Sequence, residues 1–227
     1  MNESALDLLE LDPPSPARSS VIWLHGLGAD KHDFEGVVPE LRLPDAHAIR
    51  FVFPNAPMRA VTINMGQTMR AWYDILDLDI RAGEDGDNIR ESQGILQGLV
   101  DREIEKGIAA DRSVVAGFSQ GGAIALQTGV RYPERLAGIL ALSTYLPLSD
   151  ALSEERSEAS LQTPIFMTHG QFDPIIPIQG AIASRQILES AGYSVEWQDY
   201  PMQHQVCLEE VEHVSDWLKR VLPATEG

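Results

Sequence analysis

Ser113-Val114-Val115-Ala116-Gly117-Phe118-Ser119-Gln120-Gly121-Gly122-Ala123-Ile124-Ala125-Leu126 is the stretch on which the reading of this chain turns. Its first four residues are apolar and β-branched at the centre, the pattern of a buried strand. From Gly122 to Gly129 the residues are small and apolar and predict a helix. A GxSxG pattern therefore sits at a strand-to-helix junction, the context in which that pattern carries chemistry rather than marking an ordinary Gly-Ser turn. Gly117 and Gly121 have a mechanical role: a turn this tight forces strained backbone and close approach of neighbouring chain, and a Cβ at either position would clash. The Ser119 hydroxyl is then held at the C-terminal end of a strand, above a helix N-terminus. That terminus offers unpaired N–H groups and positive potential to a developing oxyanion.

Working outward, strands and helices alternate. Ser20-Val21-Ile22-Trp23-Leu24 predicts a core strand that runs into His25-Gly26-Leu27-Gly28. Asp33 is placed to cap a helix whose Phe34, Val37, Val38 and Leu41 fall at i, i+3, i+4 and i+7. Residues 49–53 predict a second core strand. Residues 58–84 break the alternation: short extended pieces at 61–65 and 69–73 flank Gly66, a loop covers 74–84, and the whole reads as an excursion outside the main sheet. A helix is predicted over 87–106, with Ile89, Leu96, Leu99, Val100 and Ile104 inward. After the central strand and helix come a strand over 136–143 and a polar segment, 144–163, without a core pattern. A strand at 164–168 then runs into His169-Gly170-Gln171-Phe172-Asp173-Pro174. Helix 177–192, strand 194–200 and helix 206–221 complete the chain. Residues 1–18 read as a leader broken by Pro13, Pro14 and Pro16. The expectation is a single α/β domain over 1–227, built on an open, mostly parallel sheet with helices on both faces and no large cap. In such a sheet ligands bind beyond the C-terminal strand ends. Gly26 to Gly28, Ser119, Asp173 and His204 all fall there.

Composition narrows the partners. The chain of 227 residues carries a formal charge of −17. Such a polyanion repels phosphate backbones and acidic lipid surfaces, which disfavours nucleic-acid binding and stable membrane association. A single cysteine, Cys207, suits a reducing compartment. Residues 1–16 lack the basic and apolar regions of a signal peptide, and no apolar run approaches the ~20 residues of a membrane span. A cytoplasmic protein is expected.

A serine hydroxyl is a weak nucleophile until a base takes its proton, and the base must itself be oriented. Six histidines are available: His25, His32, His47, His169, His204 and His213. His25 and His169 end strands and precede glycine, which reads as packing. His213 lies within the last helix and reads as surface. His204 lies in the loop after the last strand, free to point at the mouth. Asp173, in a loop pinned by Pro174 and Pro177, is the orienting acid. Asp199 is the rival, but it lies on the last strand, too near His204 in sequence for an easy approach. Ser119, Asp173, His204 is the chain order of the α/β-hydrolases. Two donors are needed for the oxyanion: the backbone N–H of Gln120, after the nucleophile, and that of Leu27, in the loop after the first core strand.

LHGLG at 24–28, AWYD at 71–74, GFSQGG at 117–122, HGQFDPIIP at 169–177 and the isolated His204 together resemble the bacterial phospholipase/carboxylesterase family, relatives of acyl-protein thioesterases. The resemblance covers the chain from about residue 18 onward. It implies an α/β-hydrolase fold, a Ser-His-Asp triad, a groove for an acyl chain, no metal or cofactor, and a homodimer. It also implies hydrolysis of carboxylic esters, lysophospholipids or acyl thioesters, although the heavy acidity argues against anionic lipid substrates. By the same resemblance Trp72 and Tyr73 lie beside the groove, though both read equally well as core aromatics. The excursion at 58–84 is expected to line the groove with Met65, Trp72, Ile75 and Leu76, giving a preference for short-to-medium acyl chains.

Competing readings are weaker. The glycines at 117–122 lack the GxGxxG spacing, and neither GxxxxGK[ST] nor HExxH occurs. A non-catalytic binding protein of this fold would be expected to lack one of Ser119, Asp173 or His204. A serine peptidase of this fold commonly carries a cap, for which 144–163 leaves little chain.

Overall fold

The computed structural model describes residues 7–77 and 83–224. Its centre is a seven-stranded sheet made of β1 (Leu8–Leu11), β2 (Ser19–Leu24), β3 (Ile49–Pro54), β6 (Ser113–Phe118), β7 (Gly138–Leu142), β8 (Ile165–Gly170) and β9 (Val195–Tyr200). A separate two-stranded hairpin is formed by β4 (Met58–Val61) and β5 (Gln67–Arg70). The strand order is β1-β3-β2-β6-β7-β8-β9, parallel throughout except at β1. The helices are α1 (Val37–Glu40), α2 (Gly86–Glu105), α3 (Gln120–Gly129), α4 (Leu152–Glu155), α5 (Ile178–Ser190) and α6 (Leu208–Val221).

Central strands in such a sheet are buried on both faces, which explains their unbroken apolar runs. Side chains alternate between two cores. Ile22, Leu24, Val115, Ile139 and Met167 face α2, α3 and α5, whose Leu96, Ile124 and Leu188 meet them. Val21, Trp23, Val114, Leu140 and Phe166 face the opposite way, toward Phe34, Val214, Trp217 and Leu218. Trp23 stacks on Phe34 with centroids 5.0 Å apart, and Phe166 packs on Trp217 at 5.8 Å. Asp85 caps α2 by accepting from the Asn88 N–H at 2.9 Å.

Several expectations are corrected. The leader carries a strand: β1 pairs antiparallel with β3, Leu8 opposite Pro54 and Leu11 opposite Phe51. Its leucines cover the edge of the sheet, and Pro13 and Pro14 stop it. Residues 1–6 of that leader lie outside the described residues. The helix predicted after Asp33 is a single turn, Val37–Glu40. A helix begun at Asp33 would put Pro39 in its interior, without the N–H for its bond. Phe34 and Leu41 are nonetheless buried. The extended pieces of the excursion are shifted: the strands are β4 and β5, separated by a 3₁₀ turn over Thr62–Asn64 and by Met65 and Gly66, both at positive φ. Part of the predicted loop after it, residues 78–82, lies outside the described residues. The segment 144–163 does contribute to the core, through Leu146 and Leu152.

Glu210, in the first turn of α6, is fully buried. One carboxyl oxygen pairs with the Thr168 hydroxyl of β8 at 2.5 Å, and the other has no partner among the described residues. Burial pushes its pKa up to about 7. Between its ordinary value and about 7 the folded chain therefore holds a proton that the unfolded chain has released, so stability falls as pH rises through that window. Glu210→Gln cannot titrate. Its Tm should gain on the wild type as pH goes from 5 to 8, measured by thermal denaturation; parallel Tm–pH curves would refute the assignment.

Candidate active site

Ser119 joins β6 to α3 with φ 55° and ψ −121°, a left-handed conformation rare for a residue with a side chain. The neighbouring glycines make it reachable. A Cβ on Gly117 would overlap the backbone of Gly121 and Gly122, and one on Gly121 would overlap the carbonyls of Leu24 and His25. The turn is pinned from outside as well. The Ser119 N–H donates to the Leu142 carbonyl at 2.9 Å, and the Thr144 hydroxyl donates to the Ser119 carbonyl at 2.7 Å.

His204 reaches this turn from the loop between β9 and α6. Its Nε2 lies 2.9 Å from Ser119 Oγ, and its Nδ1 lies 2.6 Å from Asp173 Oδ2. A carboxylate only accepts, so the Nδ1–H donates a hydrogen bond to it, which leaves the Nε2 lone pair facing the serine hydroxyl. Asp173 is held in turn. Its Oδ1 accepts the N–H groups of Ile175 and Ile176 at 2.8 and 2.9 Å. The loops carrying the two side chains are zipped together: Gln171 N–H donates to the Tyr200 carbonyl at 2.8 Å and Phe172 N–H to the Met202 carbonyl at 3.0 Å. Their approach requires Gly170, where a Cβ would strike the carbonyls of Met202 and Gln203. The His204 ring leans on Phe118, with centroids 4.8 Å apart.

The other histidines are occupied elsewhere. His25 is buried, with Nδ1 donating to the Gly26 carbonyl at 2.7 Å and Nε2 accepting the Ala56 N–H at 3.0 Å. Burial holds its pKa below the ordinary value, in keeping with this neutral bridge. His169 is also buried, donates to the Ile176 carbonyl at 2.8 Å, and has its pKa lowered by burial. His32 pairs with Glu35 on the surface, and His47 donates to the Leu222 carbonyl. His213 is half-buried rather than on the surface, because its Nδ1 meets the Tyr200 hydroxyl at 2.8 Å. Asp199 accepts from Gln171 and Trp197 instead of His204.

A pocket of about 470 Å³ opens beside Ser119 and His204, with Leu27, Ile63, Ile75, Phe118 and Ile176 in its wall. Leu27 and Gln120 both line it. Gln120 is the first residue of α3, so its N–H lacks an intrahelical acceptor. Of the four residues expected in the groove, Ile75 lines it and the other three do not. Trp72 is fully buried behind the wall, its indole N–H donating to the His25 carbonyl at 2.9 Å. Met65 sits at the tip of the β4–β5 hairpin and is 99% exposed, and Leu76 points half into solvent. Periodicity could not separate these orientations in an irregular segment. The side chain of Gln120 was also missed: it accepts the Trp72 N–H and donates to the Tyr73 carbonyl, both at 2.7 Å, and so fastens this wall to the turn. Its place in GFSQGG was the available signal.

A serine on a strained strand-to-helix turn, with a histidine and an aspartate from later loops of a doubly covered parallel sheet, defines an α/β-hydrolase. The model of the phospholipase/carboxylesterase family matches residues 11–222, and the chain belongs to that family. Acyl-protein thioesterase 1 of Neurospora crassa is 40% identical, with 92% of this chain and 90% of that protein covered. Carboxylesterase SOBER1 of Arabidopsis thaliana is 30% identical, with 93% and 94% covered. The crystal structure of Arabidopsis thaliana SOBER1 superposes with a TM-score of 0.86 at 29% identity, covering 91% of this chain and 100% of that one. These relatives are fungal and plant proteins, so the bacterial branch expected from the motifs is not where they lie.

Gly121→Ala should disrupt the turn, because the new methyl meets main-chain carbonyls that cannot move aside. Overlap of this kind costs about 4 kcal/mol or more, about 10 °C of Tm for a domain of this size. A Tm within about 2 °C of wild type would show that the packing is looser than described.

Proposed function

We propose that this chain is a serine esterase that hydrolyses acyl esters and thioesters through a covalent acyl-enzyme. The observation that carries the reading is the unbroken hydrogen-bonded series Asp173, His204, Ser119 at the mouth of an apolar pocket. Ser119 Oγ attacks the acyl carbonyl carbon as its proton passes to His204 Nε2. The oxyanion so formed takes hydrogen bonds from the N–H groups of Gln120 and Leu27. Collapse expels the alkoxide or thiolate, which receives the proton from His204, and the acyl group stays on Ser119. Water then attacks the acyl-enzyme by the same route, with His204 again as base, and the carboxylic acid leaves. Asp173 holds the imidazole in the working tautomer and stabilises its cation. No step calls for a cofactor.

The relatives support both ester and thioester substrates, since their names include acyl-protein thioesterases and carboxylesterases. A cytoplasmic setting and a homodimer belong to the same reading and rest on the lone Cys207 and the family resemblance. Among the described residues no helix is long and apolar enough to cross a membrane.

Ser119→Ala should fold normally and lose on the order of 10⁴- to 10⁶-fold in kcat; His204→Ala should match it, and Asp173→Asn should lose less. Retention of more than about a tenth of the activity by Ser119→Ala would exclude the assignment.

The apolar wall predicts selection by acyl length, with wide tolerance of the leaving group. Each buried methylene is worth up to about 0.8 kcal/mol, roughly fourfold in kcat/KM, until the pocket is filled. Nitrophenyl esters from acetate to palmitate, below their micelle concentrations, should rise in kcat/KM and then level. Ile75→Trp should cut the longest chains first. A flat series would rule out an acyl-binding wall.

A further inference from the structure

Two phenols interrupt the apolar wall of the pocket. Tyr73 and Tyr145 both line it, and their hydroxyl oxygens are 3.0 Å apart. Both are anchored next to Ser119. Gln120 holds the Tyr73 carbonyl, and Thr144, the residue before Tyr145, holds the Ser119 carbonyl. Burial, with the Glu84 carboxyl nearby, raises both pKa values, so both groups remain neutral phenols. Two phenols carry two protons, and their mutual hydrogen bond uses one. Neither oxygen makes another hydrogen bond among the described residues. Among the described residues one O–H is therefore left without an acceptor, on side chains that line the pocket.

The direction of the substrate follows from the chemistry. His204 must hand a proton to the leaving group, which places that group on the His204 side of Ser119. The wall fastened to Gln120, with Tyr73 and Ile75, is left to the acyl chain. An acyl chain without polar atoms leaves the phenol donor unpaired once water is expelled, a cost that an oxygen on the chain removes. An ionised carboxylate would be repelled, because Asp33 lines the same pocket. Resting on the esterase reading above, we propose that the Tyr73–Tyr145 pair is a subsite for a neutral oxygen, hydroxyl or carbonyl, carried on the acyl chain. The preferred substrates are then hydroxyacyl or oxoacyl esters rather than plain fatty acyl esters.

The test is a scan of nitrophenyl hexanoates bearing one hydroxyl at successive carbons, each compared with plain hexanoate by kcat/KM on the full-length enzyme. At one position the hydroxyl should raise kcat/KM about tenfold. In Tyr73→Phe and Tyr145→Phe the ratio of hydroxylated to plain substrate should fall toward one; this ratio, unlike the rate, is not moved by a merely structural effect. A wild-type scan with no gain at any position overturns the inference without recourse to the variants. So does a gain that survives both substitutions, or one seen only when the hydroxyl is moved to the leaving group. Failure of wild-type enzyme to hydrolyse plain hexanoate would strike the esterase reading itself, and the subsite would fall with it.

Discussion

The left-handed backbone at Ser119 is the constraint on which the site depends. A conformation of this kind costs about 1–3 kcal/mol in a residue with a side chain and persists only where its surroundings over-determine it. Here they do so on three sides. Gly117 and Gly121 allow β6, α3 and the end of β2 to close to backbone contact. The Leu142 carbonyl at the end of β7 and the Thr144 hydroxyl just beyond it hold the Ser119 peptide groups. α3 continues directly from the turn, which leaves the Gln120 N–H free at its terminus. One distortion thus exposes the hydroxyl and supplies a donor for the charge it would create.

The remaining parts are fastened to this turn by polar bonds rather than by apolar contact alone. Gln120 ties the wall at Trp72 and Tyr73 to the start of α3. His25, a neutral buried bridge, joins the loop after β2 to the chain after β3. The loops carrying Asp173 and His204 share backbone hydrogen bonds across the ends of β8 and β9. The Gln120 and His25 bonds sit where water is excluded, so leaving them unmade would be costly. Rigid positioning of this sort is what acyl transfer needs, since a pre-oriented base and donors avoid reorganisation during the reaction.

The β4–β5 hairpin and residues 71–77 form the irregular side of the pocket. Their order comes from local polar contacts: Asp74 accepts from the Thr62 N–H and hydroxyl, and Arg59 reaches the Ala71 carbonyl and Asn88. A wall built this way can differ in shape from one family member to another while the sheet behind it stays the same.

Much of this was legible in the residues alone. Buried parallel strands must be apolar on both faces, so their runs are continuous and stand out, as at 20–24 and 113–116. A strained turn between strand and helix must be built from glycines, so GFSQGG marks itself. Asp173 and His204 follow because loops at the carboxyl ends of parallel strands converge, and the same three residues chosen on that ground meet at hydrogen-bond distance in the fold. Other features required the folded chain. The strand at Leu8–Leu11 depends on an edge offered by β3, forty or more residues later in the sequence. The directions of Met65, Trp72 and Leu76 depend on a hairpin and turns with no repeating period, where neighbouring residues carry no signal of which way a side chain faces. The meeting of Tyr73 with Tyr145, and of Gln120 with Trp72 and Tyr73, depends on contacts between distant parts of the chain that local pattern cannot encode.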